Sequence, residues 1–331
     1  MSELTVSAIM PVYNGKGYIE RSLPPLLRAL ERGEVTEVIV ADDGSDDESG
    51  EWAQQQGAHV VRTAGRTGPG NARNLAVEEA CGDVVWFVDA DVVVHDDAVG
   101  PLRRAFEEPG VVAVFGSYDD TPPFEAFASQ YMNLRHHFFH HKNPGEASTF
   151  WSGCGAVRRD AFLAVEGFDA ERYERPSIED IELGYRLRGA GGRIVTDPAM
   201  QGTHLKEWTL AGVVHTDLFC RALPWSRLQL ERPSEPLGLN ASPEERLKAV
   251  LGAGTLGSIF LALVGLLPWV VPLVLVGAVW VANRALFDLF RRRRGFLFAA
   301  SALAFHQVHL TYSGVAFAWC WLEHRLKPSA A

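Results

Sequence analysis

Asp83-Val84-Val85-Trp86-Phe87-Val88-Asp89-Ala90-Asp91 is a short apolar run closed by two carboxylates. Its five apolar residues suit a strand buried on both faces of a parallel sheet. Asp89 and Asp91 lie two apart, and in an extended chain such positions point the same way. Two hard oxygen ligands at the carboxyl end of a buried strand make a candidate divalent-cation site. The alternative is structural, since aspartate also ends strands by turning its side chain onto local backbone.

Upstream of this run the sequence alternates strands with helices. Residues 4–10 read as a strand ending at Pro11-Val12-Tyr13-Asn14-Gly15, and residues 18–30 as a helix with Pro24-Pro25 as a kink site. A second strand over 35–41 runs into Asp42-Asp43-Gly44-Ser45-Asp46-Asp47. A helix over 48–56, a strand over 58–62, a glycine-rich turn at 65–70 and a helix over 71–81 lead back to the central run. Such alternation predicts an α/β fold with right-handed crossovers and a mostly parallel sheet. Ligands of these sheets sit beyond the carboxyl ends of the strands. The sequence places Tyr13 and Asn14, Asp42 and Asp43, and Asp89 and Asp91 there. No GxGxxG follows the first strand, which argues against a dinucleotide-binding dehydrogenase.

Pro11-Val-Tyr-Asn14, Asp42-Asp-Gly-Ser-Asp46, Gly70-Asn-Ala-Arg-Asn74 and Asp89-Ala-Asp91, in this order and spacing, resemble glycosyltransferase family 2 with its Rossmann-like GT-A fold. The resemblance covers about residues 4–210. It implies a nucleotide-sugar donor, a UDP-sugar being the family's common choice. It also implies that Pro11, Tyr13, Asp42 and Asp43 border the nucleoside. Arg73 would then lie near the diphosphate or ribose, and Asp91 with Asp89 would hold Mg²⁺ or Mn²⁺. The chemistry agrees, because a nucleoside diphosphate leaves readily only when its developing negative charge is stabilised.

Residues 124–142 carry apolar side chains at helical spacing (Phe124, Phe127, Tyr131, Leu134, Phe138), so this helix is expected against membrane or at an acceptor entrance. The His136/His140 and His137/His141 pairs have metal-binding spacing but no carboxylate beside them, which favours a packing role. Trp151, Ser152, Gly153 and Cys154, within Thr149 to Arg159, resemble the family's acceptor-facing segment, where small residues let a substrate approach the backbone. The alternative is a glycine turn into the helix that starts near Asp160.

Glu179 and Asp180 open a helix, where acids are favoured by capping and the helix dipole alone. By resemblance they are also the catalytic pair, with Asp180 as general base. An inverting transfer to a hydroxyl needs such a base, whereas a lipid phosphate is already ionised at neutral pH. A base at Asp180 therefore favours a hydroxyl acceptor over a polyisoprenyl phosphate. Beyond a strand over 193–196, His204 is expected to complete the metal sphere or meet the diphosphate. Lys206 and Trp208 are expected to line the substrate. The chain lacks the QxxRW motif of processive polysaccharide synthases, which favours transfer of one sugar.

Composition sets the remaining bounds. The 331 residues are 47% apolar, with a formal charge of −10, which disfavours nucleic acid as a partner. Four scattered cysteines form no CxxC, so no zinc knuckle or disulfide framework is indicated and a reducing compartment is expected. No signal peptide is read at the N-terminus. Residues 217–230 read as an interfacial helix on a bilayer, and 233–243 as a Pro/Ser-rich linker. Residues 249–282 contain no charged side chain. As one helix they would reach about 51 Å, against a hydrocarbon core of about 30 Å.

The expected organisation is a catalytic domain over 1–232, a linker over 233–247, and transmembrane helices near 248–267, 269–289 and 296–322. Arg291 to Arg294 then mark a cytoplasmic end under the positive-inside rule. The functional expectation is an integral membrane enzyme of the inner or plasma membrane, with its catalytic domain in the cytoplasm. It transfers a single sugar, with inversion, from a nucleotide sugar to a hydroxyl of a lipid or lipid-linked acceptor. A polyisoprenyl-phosphate sugar synthase and a non-catalytic membrane platform are the rival readings.

Overall fold

The structure, a computed structural model, describes residues 4–142, 144–233 and 242–326. Most of the expected linker lies outside the described residues. The chain divides into two compact units, residues 1–125 with 139–207, and 126–138 with 208–331.

From the N-terminus the elements run β1 (Val6–Val12), α1 (Lys16–Glu31), β2 (Glu37–Asp42), α2 (Ser49–Gln55), β3 (His59–Arg62), α3 (Pro69–Glu79) and β4 (Val84–Val88). They continue with β5 (Val92–Val94), α4 (Val99–Ala105), β6 (Val111–Tyr118), α5 (Phe127–Lys142), β7 (Gly145–Ala147) and β8 (Cys154–Arg158). Then follow α6 (Arg159–Ala164), α7 (Glu179–Gly189) and β9 (Arg193–His204). The nine strands form one sheet in the order β3-β2-β1-β4-β8-β6-β9-β5, with β7 beside β9. The first four strands are parallel, as the alternation predicts. Beyond β4 the sheet turns antiparallel through β8. α1 runs through Pro24 and Pro25 as one helix.

Every residue of β4 is buried. Phe87 packs on one face against Phe162 and Phe168, at ring-centroid distances of 5.6 and 5.4 Å. Trp86 and Val88 join the main core on the other face with Ile19, Leu23 and Val40. This two-sided burial is what a continuous apolar run achieves and an alternating one does not. β9 is long enough to lie beside β6 with its first residues and beside β5 with its last. That geometry joins β5, three residues after β4, to the far end of the sheet.

The second unit is helical: α8 (Leu210–His215), a π-helical turn (Thr216–Ala222), α9 (Leu223–Glu231), α10 (Pro243–Leu263), α11 (Val270–Ala282), α12 (Arg284–Arg294) and α13 (Phe296–Leu326). Tyr131 and Leu134 of α5 pack here with Trp208, Leu286, Phe290, Ala299 and Ala302. The aromatic stripe of α5 is thus core of this unit, and the last residue of the first compact unit is Glu207. Asp217, on the π-helical turn, accepts hydrogen bonds from both Nη atoms of Arg135 at 3.0 and 3.2 Å. Arg221, Tyr312 and His309 also reach it, at 3.3, 3.1 and 3.1 Å.

The helical region differs from three straight spans. Among the described residues, one helix, α10, is long and apolar enough to cross a membrane. The span expected at 269–289 is broken at Asn283, where α11 and α12 meet at 77°. The thirteen residues of α11 reach about 20 Å, short of a full hydrocarbon core. α13 is one helix of 31 residues whose apolar run is interrupted by His306, Gln307 and His309.

Candidate active site

The strand ends at Val88, so Asp89-Ala-Asp91 lies in the turn between β4 and β5 and each carboxylate meets its own partner. Asp89 turns to α3, where its Oδ1 accepts from Arg73 Nη2 at 2.6 Å. Arg73 is buried, its guanidinium lies 5.4 Å from the Phe168 ring, and its Nη1 is 3.6 Å from Glu179 Oε1. Arg73 therefore links the end of β4 to the start of α7. Asp89, expected as a metal ligand, is also the ion-pair partner of an arginine.

Asp91 turns the other way. Val92 pairs with His204 across β5 and β9, which brings His204 Nε2 to 3.4 Å from Asp91 Oδ2. Burial pushes the Asp91 carboxyl up, but His204 and Lys206 outweigh it and hold the group below its ordinary range. It is ionised at neutral pH. The His204 ring stacks on Tyr118, with centroids 4.3 Å apart and planes within 5°. Trp151 meets Tyr118 edge-on at 4.8 Å and also meets His140 at 4.8 Å.

An ionised carboxylate beside an imidazole nitrogen fits a divalent ion that takes its other ligands from phosphate and water. Among the described residues no group of three His, Cys, Asp or Glu converges, and Asp91 and His204 are the pair that would hold such an ion.

Asp180 lies in the first turn of α7 with Glu179. Its Oδ2 accepts from the Ser152 N–H at 3.2 Å, and its Oδ1 from the Ile181 N–H at 2.8 Å. Burial first, and the neighbouring Glu179 second, push its carboxyl up to about 7, against the pull of the Ser152 N–H and Arg73. A carboxyl held there shares its population between acid and carboxylate at neutral pH.

Asp42 ends β2 and Asp43 follows it as expected, and both carboxylates are engaged by neighbouring backbone and side chains. Asp42 Oδ1 accepts from the Ser45 N–H, and Oδ2 faces Arg62 Nε at 3.4 Å. Asp43 accepts from Thr63 Oγ1, from the N–H and Oγ1 of Thr67, and from the Gly68 N–H, all within 3.1 Å. These bonds hold the turn before α3. Gly68 sits there at φ +94°, and a Cβ on it would meet Glu174 O at 2.2 Å. Tyr13 is exposed after β1, with the Arg66 guanidinium 4.4 Å from its ring. Pro11 is a buried strand residue paired with Ala41.

The acceptor-side expectations divide. Ser152 presents its N–H to Asp180, and Trp151 braces Tyr118. The Gly153 carbonyl accepts from the Asp89 N–H, and a Cβ on Gly153 would strike the Trp151 ring at 2.5 Å. Its smallness serves that ring rather than a substrate. Cys154 is fully buried at the start of β8, and burial pushes its thiol up to about 12, so it faces no acceptor. Lys206 is exposed, and its charge reaches Asp91. Trp208 is a core residue of the helical unit, its N–H bonded to Ser129 Oγ at 2.8 Å, and offers no open face. Tyr118 and Arg66 were not expected. Tyr118 ends β6, whose Val-Val-Ala-Val-Phe run is a readable strand signal.

Residues 7–165 match the family model described as glycosyl transferase family 2. A glycosyltransferase, GlyG, of Streptococcus pneumoniae is 29% identical over 123 residues, 36% of this chain and 40% of the relative. An undecaprenyl-phosphate 4-deoxy-4-formamido-L-arabinose transferase of Pseudomonas aeruginosa is 40% identical over 141 residues, 39% of this chain and 40% of the relative. This chain thus spans less than half the length of these curated relatives. Among solved structures, the mannosyltransferase PcManGT of Pyrobaculum calidifontis shares the fold with a TM-score of 0.63 at 20% identity, over 96% of this chain and 88% of that one. With its parallel strands, its carboxylates beyond their ends and this match, the chain carries a glycosyltransferase family 2 domain built on the GT-A fold.

Proposed function

We propose that this chain moves one sugar, with inversion, from a nucleotide-sugar donor to a hydroxyl of a lipid or lipid-linked acceptor at the cytoplasmic face of a membrane. The observation that carries this reading is Asp180, a carboxyl pushed up to about 7 beside the Ser152 N–H. A general base works best when its pKa lies near the working pH. Asp180 takes the proton of the acceptor hydroxyl as its oxygen attacks the anomeric carbon. The bond to the nucleoside diphosphate breaks on the opposite side, which inverts the configuration.

Tyr13 offers an exposed ring for the nucleobase, and Asp42 and Asp43 shape the loops around it. Arg73 fixes Glu179 relative to Asp89 and so orients the start of α7. Asp91 and His204 would hold Mg²⁺ or Mn²⁺. When bound, such an ion supplies positive charge to the departing diphosphate. The mannosyltransferase of similar fold is described in complex with GDP-Man and Mn²⁺. A UDP-sugar is the first donor to try and GDP-mannose the second. The membrane reading draws support from α10 and from the large apolar side chains exposed along α10 and α11 (Val250, Leu263, Leu273, Val274), far more apolar surface than a soluble chain leaves in water.

One finding favours a second acceptor. The Pseudomonas relative is named for an undecaprenyl-phosphate substrate. A phosphate acceptor is already ionised and has no proton for Asp180 to take.

One experiment separates these readings. Detergent-purified protein is incubated with nucleotide sugars, Mg²⁺ or Mn²⁺ and a membrane lipid extract, and lipid products are read by mass spectrometry. The expected product is a lipid with one added sugar on a hydroxyl, absent with Asp91→Asn and Asp180→Asn. A sugar phosphate-linked to the lipid, formed at an unchanged rate by Asp180→Asn, would replace the hydroxyl reading. No product with any donor would overturn both.

A further inference from the structure

We propose that the arginine face of α12 is a contact surface for the anionic headgroups of a lipid bilayer. The inference rests on the membrane reading above and names a partner that reading leaves open.

α12 has two unlike faces. Leu286, Phe287, Leu289 and Phe290 are buried in the helical unit, with Phe290 fully so. Away from that face lie Arg284 and Asp288, and the last turn, Arg291 to Arg294, is exposed all round, which gives the helix a net charge of +4 on eleven residues. Asp288 lies 3.8 and 3.7 Å from Arg284 and Arg291. An ordinary interfacial helix turns its apolar face to the acyl chains. Here that face is used inside the unit, and guanidinium groups are what α12 offers outward.

The segments on either side identify the partner. Before the 77° bend, Trp280 and Val281 of α11 are exposed. After Gly295, Phe296 and Leu297 at the start of α13 are exposed, Leu297 at 83%. A nucleic acid or an acidic protein would neutralise the arginines yet leave these apolar side chains in water. A bilayer surface accepts both, with aromatic and apolar groups at the boundary and arginines on the phosphates. Arginine suits that role because its planar fork matches phosphate oxygens in pairs. The contact is electrostatic, so it weakens with salt.

The test uses the full chain in detergent, offered equal amounts of phosphatidylglycerol and phosphatidylcholine, with bound lipid counted by native mass spectrometry. Wild type should retain phosphatidylglycerol over phosphatidylcholine by about tenfold at low salt, and less as salt rises. R291Q/R292Q/R293Q/R294Q should lose this preference, and R291K/R292K/R293K/R294K should keep it. Equal retention by wild type, a preference that survives the glutamine changes, or its loss in the lysine variant would each overturn the proposal. The membrane reading is tested separately by alkaline carbonate extraction of cell membranes. Release of the wild-type chain would overturn that reading while the lipid count remains a distinct result.

Discussion

Arg73 Nη2 lies 2.6 Å from Asp89 Oδ1, and the same guanidinium faces Glu179 across 3.6 Å. One buried cation thus serves the end of the central strand and the start of the helix that carries Asp180. Its charge also favours the ionised form of Asp180. Removing it should raise the Asp180 pKa further. In Arg73→Gln, the rising limb of the rate–pH profile should move to higher pH, with kcat at pH 7 reduced at least tenfold. A limb that stays in place would show that Arg73 does not act on Asp180.

Asp180 itself makes two predictions of opposite sense. Asp180→Asn should cut transfer to a hydroxyl by about 10²–10⁴-fold, the usual contribution of a general base. The same change should stabilise the fold at alkaline pH. The carboxyl's folded pKa is raised, so the folded state binds its proton more tightly than the unfolded state. That contribution is full below the unfolded pKa near 4 and is lost as pH rises through about 7. The melting-temperature gain of Asp180→Asn over wild type should be largest near pH 8 and vanish near pH 4. A gain that grows toward acid would contradict the stated origin of the shift.

The central strand was legible to the residue, because an unbroken apolar run fits few other structures. The parallel run of the first four strands and their polar ends followed from the same alternation. The fate of Asp89 and Asp91 did not, because their shared direction assumed an extended chain that stops at Val88. The occupation of Asp43 by Thr63, Thr67 and Gly68 was equally hidden, since those partners come from a turn some twenty residues on. Tyr118 and His204 meet only because β9 spans two neighbours, a tertiary fact with no local signal. The break at Asn283 escaped because hydropathy counts apolar residues and is blind to a bend between them.

The ring stack of Tyr118 on His204 should matter through the metal. It fixes the imidazole plane beside Asp91, and groups that orient a ligand typically alter affinity by about 10–100-fold. Tyr118→Ala should therefore weaken Mn²⁺ binding by at least tenfold in titrations followed by electron paramagnetic resonance. Tyr118→Phe retains the ring and should bind like wild type. Equal loss in both variants would point to the hydroxyl rather than the stack.

Asp217 should be the costliest single side chain to remove from the helical unit. It is 2% exposed and accepts from Arg135, Arg221 and Tyr312, with His309 alongside. Burial raises its carboxyl, but Arg135, His309 and Arg221 together outweigh this and hold the group well below the usual range. Asp217→Leu leaves the fully enclosed Arg135 without its counter-charge, a loss of about 3–5 kcal/mol for a broken buried pair. Removing both charges together is different, because no uncompensated ion remains. The pair Arg135→Met with Asp217→Leu should recover more than half of the loss, measured as thermal unfolding in detergent. A double variant as unstable as the single one would mean that Asp217 acts mainly through Tyr312 and His309 on α13, and that Arg135 is a bystander.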